Sequence, residues 1–312
     1  MKLELKDIHK SFGTNHVLRG LSFTAEGGLA FGLLGRNGSG KTTTARIILD
    51  VFLPDSGTVT VDGQKIRAEQ ARIGYLPEEK GLYPKQPILD QLVYFGRLRG
   101  LSGPAAKAAA AEWLKTVELY DEKNRKLETL SKGNQQKLLL ICALLTDPEI
   151  LLLDEPFSGL DPVNAKLLKR IVAEQVERGK LVLFSSHQMA EVESFCDDIA
   201  ILHEGVIAVS GKLSAIKRSY PQNRVELRVQ RDGRLLDAAD TVAAVQPLLD
   251  PTVTAGARGS HAAELVFASE AGREPFLRRL AASGLDIDHY SIIVPSLEDI
   301  FVETTAKGGN RE

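Results

Sequence analysis

The sequence predicts an α/β fold with a mostly parallel β-sheet, followed by a small α+β domain at the C-terminal end. Apolar runs typical of buried strands alternate with helical stretches over the first two thirds of the chain. One of these runs leads through a glycine-rich loop directly into a helix. Near residue 220 the chain turns polar and a second pattern of strands and helices begins. We therefore predict domains at 1–220 and 221–312.

The first thirty residues predict strands, which we place in an antiparallel N-terminal subdomain. Leu3, Leu5 and Ile8 are interleaved with charged residues at a period near two, and GTN (13–15) is a turn cluster. Apolar composition predicts the other strands of this domain, at LAFGLLG (29–35), GTVTVDG (57–63), RIGYLP (72–77), EILLLD (149–154), KLVLFSS (180–185) and DIAILH (197–202).

Helices are predicted between these strands, and two of them fall in one stretch without strand patterns. The helical segments are TTTARIIL (42–49), AAKAAAAEWLKTVEL (105–119), QQKLLLICALL (135–145) and NAKLLKRIVAEQV (164–176). We infer that a helical insert, from about 80 to 150, interrupts the α/β core.

The segment 221–312 shows the order β-α-β-β-α-β, which is typical of a split βαβ domain. SLEDIFVETT (296–305) predicts a closing helix capped by Ser296. This segment contains no catalytic constellation.

Composition excludes several kinds of partner. The net charge of −2 over 312 residues gives no reason to expect a nucleic-acid partner bound through bulk electrostatics, which would require a clearly basic face. We expect no nucleic-acid partner. Cys142 and Cys196 have no metal-ligand spacing and are expected to be reduced thiols of a cytosolic core. The longest apolar run, LLLICALL (138–145), is far below the ~20 residues that span a bilayer, so we expect no membrane crossing.

The glycine-rich loop matches the pattern G-x-x-x-x-G-K-[ST]. Its glycines allow backbone N–H groups to surround phosphate oxygens, Lys41 supplies a positive charge and the Thr42 hydroxyl can bind Mg²⁺. A strand precedes the loop and a helix follows it, which argues against a chance glycine turn. The predicted nucleotide-binding residues of this phosphate loop are Gly35, Asn37, Gly38, Ser39, Gly40, Lys41, Thr42 and Thr43.

Two adjacent acids follow the apolar strand at LLLDEP (151–156). Asp154 fits the carboxylate on the magnesium side of a nucleotide-hydrolysing fold. Glu155 can point to the other face and orient or deprotonate an attacking water. The alternative is that both acids cap the next helix.

Six motifs of nucleotide chemistry occur in one order: GRNGSGKTT (35–43), YLPEE (75–79), LSKGN (130–134), LLLDEP (151–156), SGLD (158–161) and FSSH (184–187). This set resembles the ATP-binding cassette of ABC transporters, which is a P-loop NTPase fold. The resemblance covers roughly residues 1–220. GLYPK (81–85) and SLEDIF (296–301) extend it to exporter-type ATPase subunits with a C-terminal extension.

The resemblance implies that LSKGN acts on a second copy of the chain. In this family two cassettes pair head to tail, and the signature of one closes over the γ-phosphate bound by the other. The signature residues here are Ser131, Lys132, Gly133 and Asn134. Ser131 offers a hydroxyl and the following helix a positive dipole end, but an ordinary helix cap is the alternative. Lys132 either faces phosphate or is solvated.

Further roles follow from the resemblance. Phe12 corresponds to the aromatic residue that stacks on adenine, although a buried core Phe is the alternative. Asp161 corresponds to the loop that communicates across the dimer, and His187 to the histidine that contacts the γ-phosphate and Glu155. Glu78 stands where Gln is usual. The implied Mg²⁺ ligands are Thr42, Glu78 and Asp154, and the implied cofactors are ATP and Mg²⁺.

These observations predict an ATPase subunit that powers a membrane exporter. We expect a homodimer that docks a separate transmembrane permease near residues 78–100, on the cytoplasmic face of the cell membrane. One alternative is a soluble ABC-type ATPase acting on ribosomes or DNA, but the chain has one cassette and no coiled-coil run. Another is a regulatory module whose effective part is 221–312.

Overall fold

The computed structural model describes residues 1–65, 73–78 and 81–308, without the side chains of 306–308. Arg72 of the predicted strand RIGYLP and Glu79 of the motif YLPEE lie outside the described residues. The described chain forms two compact units, Met1–Leu213 with the chain from Phe301 onward, and Ser214–Ile300. The compact units divide at 213/214, and the domain boundary at 220/221 stays a prediction.

A six-stranded sheet forms the centre of the first unit. In spatial order its strands are β10 (Val206–Lys212), β9 (Asp198–His203), β3 (Ala30–Leu34), β8 (Leu181–Ser186), β7 (Ile150–Asp154) and β6 (Ile73–Leu76). All neighbours are parallel except β10, which is antiparallel to β9. The apolar runs of β3, β7 and β8 are buried along their whole length, as predicted. Because the strands are parallel, their carboxyl ends meet at one edge of the sheet.

The N-terminal strands form a separate antiparallel sheet, which confirms the predicted subdomain. Its order is β2 (Asn15–Glu26), β1 (Lys2–Phe12), β4 (Ser56–Val61) and β5 (Gln64–Lys65). Gly13, in the turn between β1 and β2, has a left-handed φ of 61°. The side chains of Leu3, Leu5 and Ile8 are buried in the core, as the alternation predicted.

Seven helices are described between the strands of the first unit and up to the start of the second. They are α1 (Lys41–Ile48), α2 (Ile88–Leu98), α3 (Gly103–Thr116), α4 (Lys132–Leu144), α5 (Pro162–Glu177), α6 (Met189–Phe195) and α7 (Leu213–Ser219). Helices α2, α3 and α4 lie between β6 and β7 in the chain, which confirms the helical insert. The sequence prediction missed α2, α6, α7, β5 and β10.

The second unit has the predicted β-α-β-β-α-β order, with one additional two-residue strand after the first that was not predicted. Its elements are β11 (Arg224–Arg231), β12 (Arg234–Leu235), α8 (Ala238–Val245), β13 (Thr254–Arg258), β14 (Ala262–Val266), α9 (Arg273–Ala282), β15 (Asp286–Ile292) and the start of α10 (Leu297–Gly308). The strands form one antiparallel sheet. Strand β11 pairs with β12, β14 and β15, and β14 also pairs with β13. Val225, Leu227 and Phe276 belong to its separate hydrophobic core.

Within the described ranges, no helix combines the length and apolarity needed to cross a bilayer. Cys142 and Cys196 are both free thiols. Burial raises the pKa of the Cys142 thiol to about 12, and burial also raises the pKa of Cys196. Neither thiol is therefore in the reactive thiolate form near neutral pH.

Candidate functional site

The phosphate loop connects the end of β3 to the start of α1, and its backbone requires glycine at three positions. Gly38 and Gly40 have φ values of 82° and 112°, which L side chains rarely adopt. A Cβ atom on Gly35 would lie 2.5 Å from the carbonyl oxygen of Leu202 in β9. The tight turn leaves the N-terminus of α1 open toward the sheet edge, as a phosphate site needs.

Lys41 is held inside this loop, with only 7% of the residue exposed. Its Nζ donates hydrogen bonds to the carbonyl oxygens of Gly35 (2.8 Å) and Arg36 (3.3 Å). Burial lowers the pKa of the Lys41 ammonium. The charges of Glu155, Asp154 and Glu78, in that order, counter part of this effect. Three carboxylates thus act on one buried cation.

The loop borders a cleft of about 380 Å³. Its lining consists of Asn15 and Val17 from β2, the loop and helix residues Asn37, Gly38, Gly40, Lys41, Thr42 and Thr43, and the acids Glu78 and Glu155. Of the other predicted loop residues, Gly35 shapes the turn, and Ser39 has a buried Oγ without a hydrogen-bond partner in the described structure. Since buried hydroxyls are normally paired, this orphaned group suits a phosphate oxygen. Asn15 and Val17 belong to none of the six motifs and were not predicted from the sequence as site residues.

Phe12 lies at the end of β1, opposite Asn15 in the hairpin. The residue is 43% exposed, and its ring lies edge-on to Phe52 with the centroids 5.2 Å apart. The alternative of a buried core Phe is therefore wrong. Phe12 is not among the residues that line the cleft, whereas its ladder partner Asn15 is. Adenine stacking by Phe12 stays a prediction.

Asp154 ends β7 and is almost completely buried. Its Oδ2 accepts a hydrogen bond from Thr42 Oγ1 (3.0 Å), and its Oδ1 accepts one from Ser185 Oγ (2.5 Å). Ser185 stands opposite Asp154 in the parallel pairing of β7 with β8. The predicted association of the phosphate loop with this acid is thus present in the fold.

Glu155 leaves the strand through a left-handed backbone conformation, with φ 48°. Strand alternation was expected to point Glu155 to the face of the sheet opposite Asp154. The left-handed turn interrupts this alternation, and the charges of both carboxylates act on Lys41. Glu155 Oε1 accepts a hydrogen bond from the His187 backbone N–H (2.8 Å) and lies 2.6 Å from His187 Nδ1. Its Oε2 accepts a hydrogen bond from Ser186 Oγ (3.0 Å). The predicted pair of Glu155 and His187 is therefore in direct contact.

Neither acid caps the following helix, so that alternative is wrong. Helix α5 is capped by Asp161, whose Oδ1 accepts hydrogen bonds from the backbone N–H groups of Val163 and Asn164 (both 3.0 Å). The backbone and side chain of Asn164 lower the pKa of the Asp161 carboxyl.

The oxygens at this edge fit a magnesium ion. Neighbouring ligands of an octahedral Mg²⁺ lie about 2.9 Å apart, given metal–oxygen bonds of about 2.0–2.1 Å. Thr42 Oγ1 and Asp154 Oδ2 are 3.0 Å apart. The described residues contain no group of three or more His, Cys, Asp or Glu arranged for a metal. Mg²⁺ sites in proteins usually keep several water or phosphate ligands beside one or two from side chains, and this pair of oxygens matches that pattern.

The signature residues begin α4 at a different place on the same unit, and none of them lines the cleft. Ser131 Oγ accepts a hydrogen bond from the Asn134 backbone N–H (3.2 Å), so Ser131 is an N-cap. Ser131 and Lys132 are exposed. A Cβ on the buried Gly133 would lie 2.6 Å from Asn164 Nδ2, which donates to Asp161 Oδ2 (2.5 Å).

Asn164 therefore joins the signature segment to Asp161, a link that the sequence analysis missed. Gln136 makes a second link, since its Nε2 donates to the carbonyl oxygen of Pro156, the residue after Glu155 (3.1 Å). Both residues lie on predicted helices without a distinctive motif, and only the packing of α4 against α5 and β7 reveals their contacts.

Replacing Lys41 should weaken nucleotide binding. The Lys41→Ala variant removes the cation that faces the cleft, and hydrogen bonds to charged groups contribute about 1.5–3 kcal/mol, or at least ~10-fold in affinity. Titration with a fluorescent ATP analogue measures the loss, and Lys107→Ala, at an exposed position of α3, is the control. Equal affinities of the two variants would contradict a phosphate-binding role for Lys41.

Comparison with known families gives two matches along the chain. Residues 18–158 match the ABC transporter family. Residues 211–305 match the C-terminal domain of the DrrA1-3-like ATP-binding proteins.

Individual relatives cover most of the chain. An uncharacterized ABC transporter ATP-binding protein of Bacillus subtilis, YhaQ, is 39% identical over 96% of this chain and 97% of its own length. The linearmycin resistance ATP-binding protein LnrL of Bacillus subtilis is 37% identical over 73% of this chain and 75% of its own. The Nod factor export ATP-binding protein I of Burkholderia lata is 37% identical over 70% of this chain and 73% of its own length.

Solved structures show the same cassette. An ATP-binding subunit of an ABC transporter superposes with a TM-score of 0.65 at 30% identity, covering 70% of this chain and 93% of that one. A bacterial ABC transporter cassette solved as a dimer has a TM-score of 0.62 at 26% identity, covering 68% and 98%. Its post-hydrolysis state, bound to ADP and phosphate, has the same values. The chain belongs to the family of ABC transporter ATP-binding proteins, and it is a nucleotide-binding ATPase.

Proposed function

We propose that this chain powers a membrane exporter as one half of a head-to-tail homodimer that closes around two MgATP molecules. One observation carries the proposal. The cleft is lined by the phosphate loop and by Glu78 and Glu155, but the signature residues 131–134 lie on the same unit without lining it. A single chain therefore has an open phosphate site and, away from it, an exposed signature at the N-terminus of α4.

A two-fold dimer satisfies both features at once. In an isologous pair each copy presents the same surface to the other, so the signature of each copy can complete the cleft of its partner. The exposed Ser131 hydroxyl and the N-terminus of α4 favour an anion there. A cassette 26% identical to this chain has been solved as a dimer, which supports pairing of two copies. ATP then stabilises the closed dimer more than ADP does, and this difference in affinity drives the cycle.

The contacts support a distinct task for each residue at the sheet edge. Lys41 binds the β- and γ-phosphates, and Thr42 and Asp154 hold Mg²⁺. When bound, the Mg²⁺ neutralises charge on the phosphates. Glu155 orients the attacking water and takes its proton, while His187 holds Glu155 and reaches the γ-phosphate.

Three further residues have supporting roles in the proposal. Glu78 lines the cleft and contributes to the Mg²⁺ shell directly or through water. Phe12, exposed beside the cleft-lining hairpin residue Asn15, stacks on adenine. Asp161 communicates across the dimer, since its carboxylate contacts Asn164 beneath the signature Gly133.

The export direction rests on the relatives and on the second unit. One relative is named for Nod factor export and another for linearmycin resistance. The match to a DrrA1-3-like C-terminal domain gives the chain the same two-part layout that the sequence predicted for exporter subunits. We propose that a separate permease selects the cargo and holds this chain at the cytoplasmic face of the membrane.

An aromatic groove in the helical insert suits the permease. Tyr83, Gln86, Asp90, Gln91 and Tyr94 line a hollow of about 340 Å³. Tyr83 and Tyr94 are 52% and 48% exposed. The groove falls within the predicted docking region 78–100.

Hydrogen bonds of one buried side chain hold the floor of this groove together. Gln91 is buried, its Oε1 accepts from the Tyr83 backbone N–H (2.8 Å) and its Nε2 donates to the Gln86 carbonyl (2.9 Å). A preformed hollow between aromatic rings is a suitable receptor for a short cytoplasmic helix of a permease.

Removing the two aromatic rings should separate docking from chemistry. Tyr83→Ala with Tyr94→Ala is expected to reduce the membrane-bound fraction of the protein in its native host at least ~10-fold, because aromatic anchors dominate such interfaces. ATP hydrolysis by the purified protein should stay within about twofold, since neither ring lines the nucleotide cleft. Tyr120→Ala, outside the groove, is the matched control.

Co-purification tests the proposed function as a whole. The tagged chain, isolated from its host in mild detergent with ATP, should bring down a polytopic membrane protein. Recovery of ribosomes or DNA instead would support the soluble ATPase alternative and overturn the exporter proposal.

A further inference from the structure

Ser186, the last residue of β8, has a fully buried hydroxyl beside the two acids. Its Oγ lies 3.0 Å from Glu155 Oε2 and also accepts a hydrogen bond from the Gln188 backbone N–H (3.0 Å). A serine hydroxyl has one hydrogen, and the amide of Gln188 can only donate. A carboxylate can only accept, so the hydroxyl hydrogen points at Glu155 while a lone pair of the same oxygen accepts from Gln188.

We propose that Ser186 is a positioning residue for ATP hydrolysis, which orients the Glu155 carboxylate toward the attacking water. This inference rests on the proposed role of Glu155 as the base. The contact assigns one oxygen of the carboxylate to Ser186 and the other to His187.

Glu155 needs such support because its own backbone does not supply it. A non-glycine residue at φ 48° is strained by about 1–2 kcal/mol and persists only where its surroundings hold it. The Glu155 backbone N–H donates to the carbonyl oxygen of Ser185 in β8 (2.9 Å), which anchors the main chain but not the carboxylate. Hydrogen bonds to the carboxylate are the remaining constraint.

Ser186 can hold Glu155 throughout the cycle, whereas the His187 ring has a second task. The His187 side chain is 44% exposed and is proposed to reach the γ-phosphate. Ser186 is part of the central sheet and is sealed from solvent. Its hydrogen bond therefore stays in place when His187 engages the nucleotide.

The neighbouring Ser185 bonds to Asp154 instead of Glu155, so the two serines are expected to have different roles. Ser185 Oγ donates to Asp154 Oδ1, on the side of the phosphate loop and the metal oxygens. Loss of Ser185 should therefore disturb MgATP binding, whereas loss of Ser186 should disturb turnover. This difference distinguishes a specific effect from general damage to the end of β8.

The test compares Ser186→Ala with Ser186→Thr. We expect Ser186→Ala to lower kcat between about 10- and 100-fold, the value of a hydrogen bond to a charged group, with the Kd for ATP within about twofold of the parent. Ser186→Thr keeps the hydroxyl and should restore kcat to within about threefold. Thr241→Val, which removes a buried hydroxyl from the second unit, controls for the loss of stability in thermal unfolding.

Combining Ser186→Ala with Glu155→Gln shows whether the role of Ser186 or the role of Glu155 is overturned. Because Ser186 acts through Glu155, Ser186→Ala should cause no further loss of single-turnover rate in the Glu155→Gln background. If Glu155→Gln is inactive but Ser186→Ala turns over normally, only the role of Ser186 is overturned. If Ser186→Ala and Ser186→Thr are equally slow, the hydroxyl is not the active feature. Normal hydrolysis by Glu155→Gln would overturn the proposed base and this inference with it.

Discussion

Glu155→Gln is expected to abolish most ATP hydrolysis while ATP binding is retained. The substitution preserves the volume and one carbonyl oxygen of the side chain but removes the ability to accept a proton. Positioned general bases contribute about 10²–10⁴-fold, so kcat should fall by that factor. The hydrogen bonds of Lys41, Thr42 and Asp154 do not involve Glu155, and the charge that Glu155 loses beside Lys41 is one that repels the phosphates. The Kd for ATP should therefore stay within about threefold of the parent value.

The same variant should accumulate as an ATP-dependent dimer. If ATP closes the dimer and hydrolysis reopens it, blocking hydrolysis leaves the closed form as the end point. Size-exclusion chromatography with MgATP and with MgADP measures this, and only MgATP should shift the elution. Glu118→Gln, at an exposed position after α3, is the matched carboxylate-to-amide control. Normal hydrolysis by Glu155→Gln would remove this residue from the mechanism.

The sequence predicted the main contacts of the site because the fold is parallel. Each predicted strand of the core ends in a polar motif, and parallel strands bring their carboxyl ends together. The motifs placed Thr42 and Asp154 on the magnesium side, the family resemblance implied the pair of Glu155 with His187, and the parallel strands bring both pairs into contact. The second unit was predictable for a similar reason, since its strands and helices alternate with clear turns.

The details that orient these groups were not predictable from local patterns. The left-handed backbone of Glu155 contradicts the alternation expected at a strand end. The bonds from Ser185 and Ser186 depend on the register between β7 and β8, which are separated by 31 positions at each contact. Two serines at the end of a strand carry no signal of their own. Their partners are determined only when the strands pair.

The strongest test of the shared site is Ser131→Asp. Asp is as good an N-cap as Ser, so α4 stays capped while a negative charge is placed on the exposed signature. In the proposed dimer this charge faces the γ-phosphate of the partner, and apposed like charges cost several kcal/mol, or more than ~100-fold in dimerisation and hydrolysis. ATP binding by the monomer should be unchanged. Ser131→Asn introduces a neutral N-cap with the shape of Asp, and it should reduce dimerisation and hydrolysis much less.

Mixing two inactive variants then tests whether the site is shared between copies. A mixed dimer of Lys41→Ala and Ser131→Asp contains one cleft with both native residues. In its second cleft, both substitutions meet, so the new Asp faces a phosphate loop without its cation. With random pairing half of the dimers are mixed and each has one native site, so the mixture should recover about a quarter of the parent activity. Hydrolysis measured across mixing ratios should peak near equal amounts. If the mixture is no more active than either variant alone, or if Ser131→Asp hydrolyses ATP at the parent rate, head-to-tail completion of the site is contradicted.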